Sequence, residues 1–249
     1  MNAKLLLALV VSFCAQNFAT ATLIPVPNGD FSDSANNGSI GGGALGGSAS
    51  NVTIGAGPWT GTYSGVAALL SPPTLTIGGG NGTISGITGT GIVTNLNNSA
   101  FFFQALTVGY TANTTYTLTV DITSTQPITM GILGNGNAGI ALTGMSGTLA
   151  STTTANPSQI TLTPQSGTTT EVALQFTTGS VAPAGNIGIQ LFAAPNGVQG
   201  ANLLQTVSFD NVTLDEVAVP ESNAITWANL GLAVLAVVKF HSARRKTIQ

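Results

Sequence analysis

The chain has 249 residues, only 5% of them charged, and a formal net charge of −3. Charged residues make up about a quarter of a typical globular protein, so solubility here falls to Thr, Ser, Asn and Gln. From Thr22 to Val219 there is no Lys, Arg or His, while seven acids remain: Asp30, Asp33, Asp121, Glu171, Asp210, Asp215 and Glu216. Such a body cannot neutralise phosphates, which excludes nucleic-acid binding.

At the N-terminus Lys4 precedes the apolar run Leu5–Val11, and Ala19-Thr20-Ala21 fits a small-residue cleavage site. That order predicts a secretory signal peptide over residues 1–21 and a mature chain beginning at Thr22. Cleavage removes Cys14, the only cysteine, and leaves no disulfide and no thiol nucleophile.

The body, residues 22–218, is long enough for one substantial core. Val, Ile and Thr are abundant, Gly and Asn interrupt at short intervals, and no stretch before Ala224 keeps a helical apolar period. The reading is all-β, one sandwich domain. Residues 35–61 are dominated by Gly, Ser, Ala and Asn and read as a long loop or insertion. Gly78 to Gly82 marks a turn. Thr115–Thr123 is the clearest strand, with Tyr116, Leu118, Val120 and Ile122 alternating against Thr117, Thr119 and Asp121. Glu171–Thr178 repeats the pattern, and Ile187, Ile189 and Leu191 continue it. The last strand, Leu204–Val217, places Val207 and Phe209 on one face but Val212 and Leu214 on the other, so a bulge near Asp210 is expected to exchange the faces.

Catalysis by Ser or Thr usually needs a His or Lys base, which the body lacks, and the absence of His and Cys removes the usual zinc site. Paired carboxylates could hydrolyse a glycosidic bond, but no catalytic motif surrounds these acids. The expectation is a non-enzymatic body. Sugar binding would need exposed aromatic rings, for which Trp59, Tyr63 and Tyr110 are the candidates.

Pro27-Asn28-Gly29-Asp30-Phe31 at the start of the body and Phe209-Asp210-Asn211-Val212 at its end, with Phe103-Gln104-Ala105-Leu106 between them, resemble jelly-roll carbohydrate-binding modules and galactose-binding-like domains. The resemblance implies a jelly-roll β-sandwich. It also implies a structural calcium tying the first strand to the last, with Asp210 and either Asp30 or Asp33 as ligands; the bland alternative is that these acids bond nearby backbone amides.

After the body come Val219-Pro220-Glu221-Ser222, an apolar run from Ala224 to Val238, and the basic residues Lys239, His241, Arg244, Arg245 and Lys246. Residues 224–240 read as a short transmembrane segment, and Arg244, Arg245 and Lys246 as its cytoplasmic stop. The whole tail, 219–249, is similar to the PEP-CTERM sorting signal of bacterial envelope proteins, with Ser222 where that motif has proline. The resemblance implies an exosortase-like processing enzyme as partner and residence at the cell envelope. Together these features predict a structural or carbohydrate-interacting component of the surface or exopolysaccharide matrix. A self-associating adhesin or scaffold without a sugar site, and a carboxylate-pair glycosidase, are the alternatives.

Overall fold

A computed structural model of the chain describes residues 20–41, 47–64, 73–88, 99–124, 138–152, 160–161, 169–193 and 202–219. In chain order the strands are β1 (Thr22–Ile24), β2 (Gly38–Gly41), β3 (Ser48–Thr53), β4 (Thr60–Ser64), β5 (Thr74–Gly78), β6 (Asn81–Thr88) and β7 (Ser99–Gly109). They continue with β8 (Thr114–Ser124), β9 (Gly139–Gly144), β10 (Gly147–Ser151), β11 (Ile160–Thr161), β12 (Thr169–Thr177), β13 (Asn186–Ala193) and β14 (Asn202–Ala218). One sheet runs β11-β12-β8-β14-β6-β5-β2, with β1 also on β14; the other runs β10-β9-β13-β7-β4-β3. The jelly-roll expectation is met as a two-sheet antiparallel β-sandwich.

The β8–β12 ladder shows why this sequence makes such a structure. Its nine-residue register pairs Thr115 with Thr177 and Thr123 with Thr169. On the outer face these pairs join hydroxyl to hydroxyl at 2.9 and 2.8 Å. On the inner face Tyr116, Leu118, Val120 and Ile122 oppose Phe176, Leu174, Val172 and Thr170, and the four β8 residues are fully buried. Each such aliphatic side chain contributes about 1.5–3 kcal/mol by leaving water. The opposite sheet supplies Phe102, Ile140, Leu142, Ile189 and Leu191 to the same core.

The bulge expected near Asp210 is present. Val207 and Phe209 are buried, then Val212 and Leu214, and the switch of face falls at Asn211, whose φ is 50°. The Gly78–Gly82 turn is the β5–β6 hairpin, with Gly79 and Gly80 both at positive φ.

Residues 35–61 are not one long loop. They hold the end of a 3-10 turn (Ser34–Asn36), β2, β3 and the start of β4. Local composition reads as loop, but Gly61 and Thr62 of β4 pair with Phe102 and Phe101, and this distant pairing orders the segment.

The chain divides into two units, Ala21–Glu216 and the terminal residues Met1–Thr20 with Val217–Gln249; the sandwich core belongs to the first. The signal peptide and the apolar tail lie outside the described residues. Among the described residues no helix is long and apolar enough to cross a membrane.

Candidate functional site

The opening segment 25–31 lies along the body with Pro25, Pro27 and Asp30 exposed, and sends Gly29 and Phe31 inward to buried positions. Phe31 has φ 50°, a conformation that costs an aromatic residue about 1–3 kcal/mol and persists only where its surroundings enforce it. Here they do. Its ring is fully buried, stacked on Trp59 at 5.2 Å between centroids and tilted against Phe102 at 6.3 Å. It lies over Gly82, where a Cβ would come within 2.8 Å of the ring. The backbone on either side is pinned as well: Trp59 Nε1 donates to the Asn28 carbonyl and Gln104 Nε2 to the Pro27 carbonyl, each at 3.0 Å. Val212 N donates to the Gly29 carbonyl at 2.9 Å, and a Cβ on Gly29 would collide with the Val212 carbonyl. Glycine is therefore required where the opening and closing segments touch.

Gln104 is a polar residue in an apolar layer. It is 1% exposed, and its Oε1, like Asn28 Nδ2, has no hydrogen-bond partner among the described residues. Its spacing from Phe102 and Leu106, both buried, places it on the inner face of β7.

Outside this layer the same two segments border a pocket of about 400 Å³ lined by Leu23 to Asp30 and Asn211 to Thr213. One carboxylate, Asp30, lines it, and Asp210 and Asp121 are near enough for their charges to be felt at one another. Asp210 Oδ1 accepts from its neighbour Asn211 N at 2.7 Å, and Asn211 Nδ2 donates to Asp121 Oδ2 at 2.9 Å. Partial burial raises the Asp210 pKa above the ordinary aspartate value; the Asn211 bond opposes this, and the charges of Asp121 and Asp30 reinforce it. Asp30 shifts the other way, held low mainly by the Ser32 hydroxyl at 2.8 Å and by Ser32 N. Glu171 faces Asp121 across the β8–β12 ladder. With no cation in the body, like charges here go unneutralised.

The aromatic platform expected for sugar is not formed. Trp59 is fully buried in the Phe31 cluster, because a ring that looks stranded in a Gly-rich stretch is covered by Phe31 from far along the chain. Tyr110 is also buried, edge-on to Tyr116 and Phe176 at 5.0 and 5.7 Å, and its hydroxyl donates to the Thr143 carbonyl at 2.9 Å. Burial, then the neighbouring Tyr116, pushes its pKa up. Tyr63 is partly buried against the core.

Of the acids considered for calcium, Asp33 is separate in role. It caps the 3-10 turn, accepting from Ala35 N and Asn36 Nδ2. Asp30 and Asp210 approach one another but also make the local bonds described above. Among the described residues no group of three or more His, Cys, Asp or Glu forms a metal site, so this donor set does not by itself complete the six to eight oxygens calcium takes. Of the sorting motif, Val219 is described and exposed; Pro220, Glu221, Ser222, Arg244, Arg245 and Lys246 lie outside the described residues.

The family model described as HpiC1-like, HpiC1 cyclase, matches residues 15–215, taking in the pocket and all three carboxylates. The chain belongs to the HpiC1-like family. This overturns the expectation of a non-enzymatic body, since the family is that of an enzyme.

Among solved structures, this HpiC1-like chain is similar to the Stig cyclase Fisc from Fischerella sp. TAU, at 19% identity and TM-score 0.41 over 81% of this chain and 100% of that one. It is also similar to a family 16 carbohydrate-binding module, at 16% identity and TM-score 0.32 over 57% of this chain and 84% of that one. The N-terminal cellulose-binding domain of Cellulomonas fimi beta-1,4-glucanase C gives 19% identity and TM-score 0.35, over 59% and 84%. At these scores the neighbours carry no argument about function. No curated protein matches the chain.

Proposed function

We propose that this chain is an exported enzyme of cyclase type, held at the bacterial envelope by its apolar tail, whose proton chemistry rests on Asp210 of the closing strand and Asp30 of the opening segment. The observation that carries the reading is the family match across residues 15–215. The body offers no His, Lys, Arg or Cys, so carboxyl groups must do any acid–base work near neutral pH. Two of them have environments that push their pKa values apart, a pattern that separates an acid from a permanent anion. Asp210, whose proton is held more tightly because of its partial burial, is the better suited of the two to deliver a proton. Asp30, lowered, remains charged and stabilises positive charge.

In such a reaction Asp210 delivers its proton to an unsaturated carbon of the substrate. The electron pair of a second π bond then closes the ring, and the carboxylate recovers a proton from the resulting cation. Substrate and product are isomers, so no co-reactant is consumed. The lining of Leu23, Ile24, Pro25 and Val26 suits an apolar substrate body, and the acids suit one that becomes cationic. Sorting by an exosortase-like enzyme at the 219–222 motif remains part of the proposal, as does exposure to extracellular polysaccharide.

The test is to incubate the purified full chain in D2O with an apolar probe bearing two carbon–carbon double bonds placed for ring closure, and to follow isomeric products by chromatography and mass spectrometry. The expected result is a ring-closed product with one deuterium on carbon, formed about 10²-fold or more slowly by Asp210→Asn. Ring closure at an unchanged rate in that variant, or none with wild type, would contradict the proposal.

A further inference from the structure

Three loops meet at one end of the sandwich and are tied together. Met145 N donates to the Ala184 carbonyl at 2.9 Å, and Asn113 N to the Gly179 carbonyl at 2.9 Å. Thr178 Oγ1 donates to the Thr111 carbonyl at 2.7 Å. From this rigid end project Met145, 80% exposed, and Val181, 81% exposed, with Val108 beside them at the end of β7. The loops 109–113, 144–148 and 178–185 contain no charged residue. Isolated surface hydrophobes need no explanation, but two on adjoining, hydrogen-bonded, charge-free loops set this end apart from the acidic outer face of β14.

The path of the chain indicates what covers it. Phe31 lies against Phe102 and Pro27 against Gln104, so the opening segment, traced backward, advances along β7 toward Tyr110. β1 lies farther in that direction, and Thr22 pairs with Glu216. The body thus receives and releases its chain at the Met145–Val181 end. Only residues 219–223 separate β14 from the apolar run that starts at Ala224, a leash of at most about 17 Å.

We infer that this end seats on the lipid surface, with Met145 and Val181 entering the interface beside the membrane anchor. The inference rests on the anchoring part of the proposed function. The surface it fits is zwitterionic: the body has no basic residue, and Asp215 and Glu216 flank the contact on β14, so anionic headgroups repel it. The seating leaves the opposite end, where β12 begins at Thr169, facing away from the membrane.

The full chain, with Cys14→Ser, is reconstituted in phosphatidylcholine vesicles with a fluorophore at Met145→Cys, Val181→Cys or Thr169→Cys. Quenching by spin-labelled phosphatidylcholine should be several-fold stronger at 145 and 181 than at 169, and should weaken when anionic phosphatidylglycerol is mixed in. Equal quenching at all three positions, or at none in chains that float with the vesicles, overturns the seating while leaving the anchor intact. Chains that fail to float overturn the anchoring and the seating with it.

Discussion

The two faces of β14 carry opposite solutions to the same problem. Inward, Val207, Phe209, Val212 and Leu214 are buried, and Phe209 meets Phe102 edge-on at 6.3 Å. Outward, Ser208, Asp210 and Asn211 sit with Asp121 and Asp30 where no cation neutralises them. One positive φ at Asn211 separates the two arrangements. The inner face therefore sets stability and the outer face carries the proposed chemistry, and changes to one should leave the other largely untouched.

The largest effect should come from the inner cluster. Trp59→Ala removes a fully buried ring and the donor to the Asn28 carbonyl, and is expected to cost about 3–5 kcal/mol in urea unfolding. Trp59→Phe keeps most of the packing and should cost about 1 kcal/mol, the worth of the lost hydrogen bond. A small effect from Trp59→Ala would break the division between faces.

Asp210→Asn should invert that result, reducing turnover as described while leaving the unfolding midpoint near that of wild type. Its pH dependence has a definite sign. The folded chain holds the Asp210 proton more tightly than the unfolded chain, so this group costs stability as pH rises from 3.8 through its raised pKa. Asparagine removes that cost and flattens this part of the stability profile. Asp30, with a lowered pKa, acts oppositely: its contribution is present at neutral pH and fades as pH falls below the ordinary aspartate range.

Gln104→Met should change stability by less than about 1 kcal/mol, because it loses the bond to the Pro27 carbonyl but also the cost of the unpartnered Oε1. The smallest effect belongs to Asn211→Gly, which keeps the positive φ and gives up the bond to Asp121, for a loss of a few tenths of a kcal/mol. Thermal melts resolve the first change; the second is better read by chemical unfolding alongside wild type.

Much of this division was legible in the sequence. Alternation in 115–123 gave the burial of β8, and the phase change between Phe209 and Val212 marked the bulge, because both signals lie within one strand. The pairing of Pro27–Phe31 with Phe209–Val212 was legible only through resemblance, since nothing local brings residues so far apart together. Trp59 was misplaced for the same reason: its neighbours are Gly, Pro and Thr, and the residues that bury it are distant. The carboxylates were visible, but which one is raised depends first on burial in the folded chain and then on the charges of Asp121 from β8 and Asp30 from the opening turn. The proposed ring closure would leave no motif, because it needs only a carboxyl group and a shaped pocket.

The central claim is that Asp210 is the raised carboxyl group on the outer face. Carbon-13 NMR of aspartate carboxyls, assigned with Asp210→Asn, measures it directly. The account predicts that Asp210 titrates above 3.8, and that Asp121→Asn brings it closer to that value. Titration of Asp210 at or below 3.8, or no response to Asp121→Asn, would contradict it.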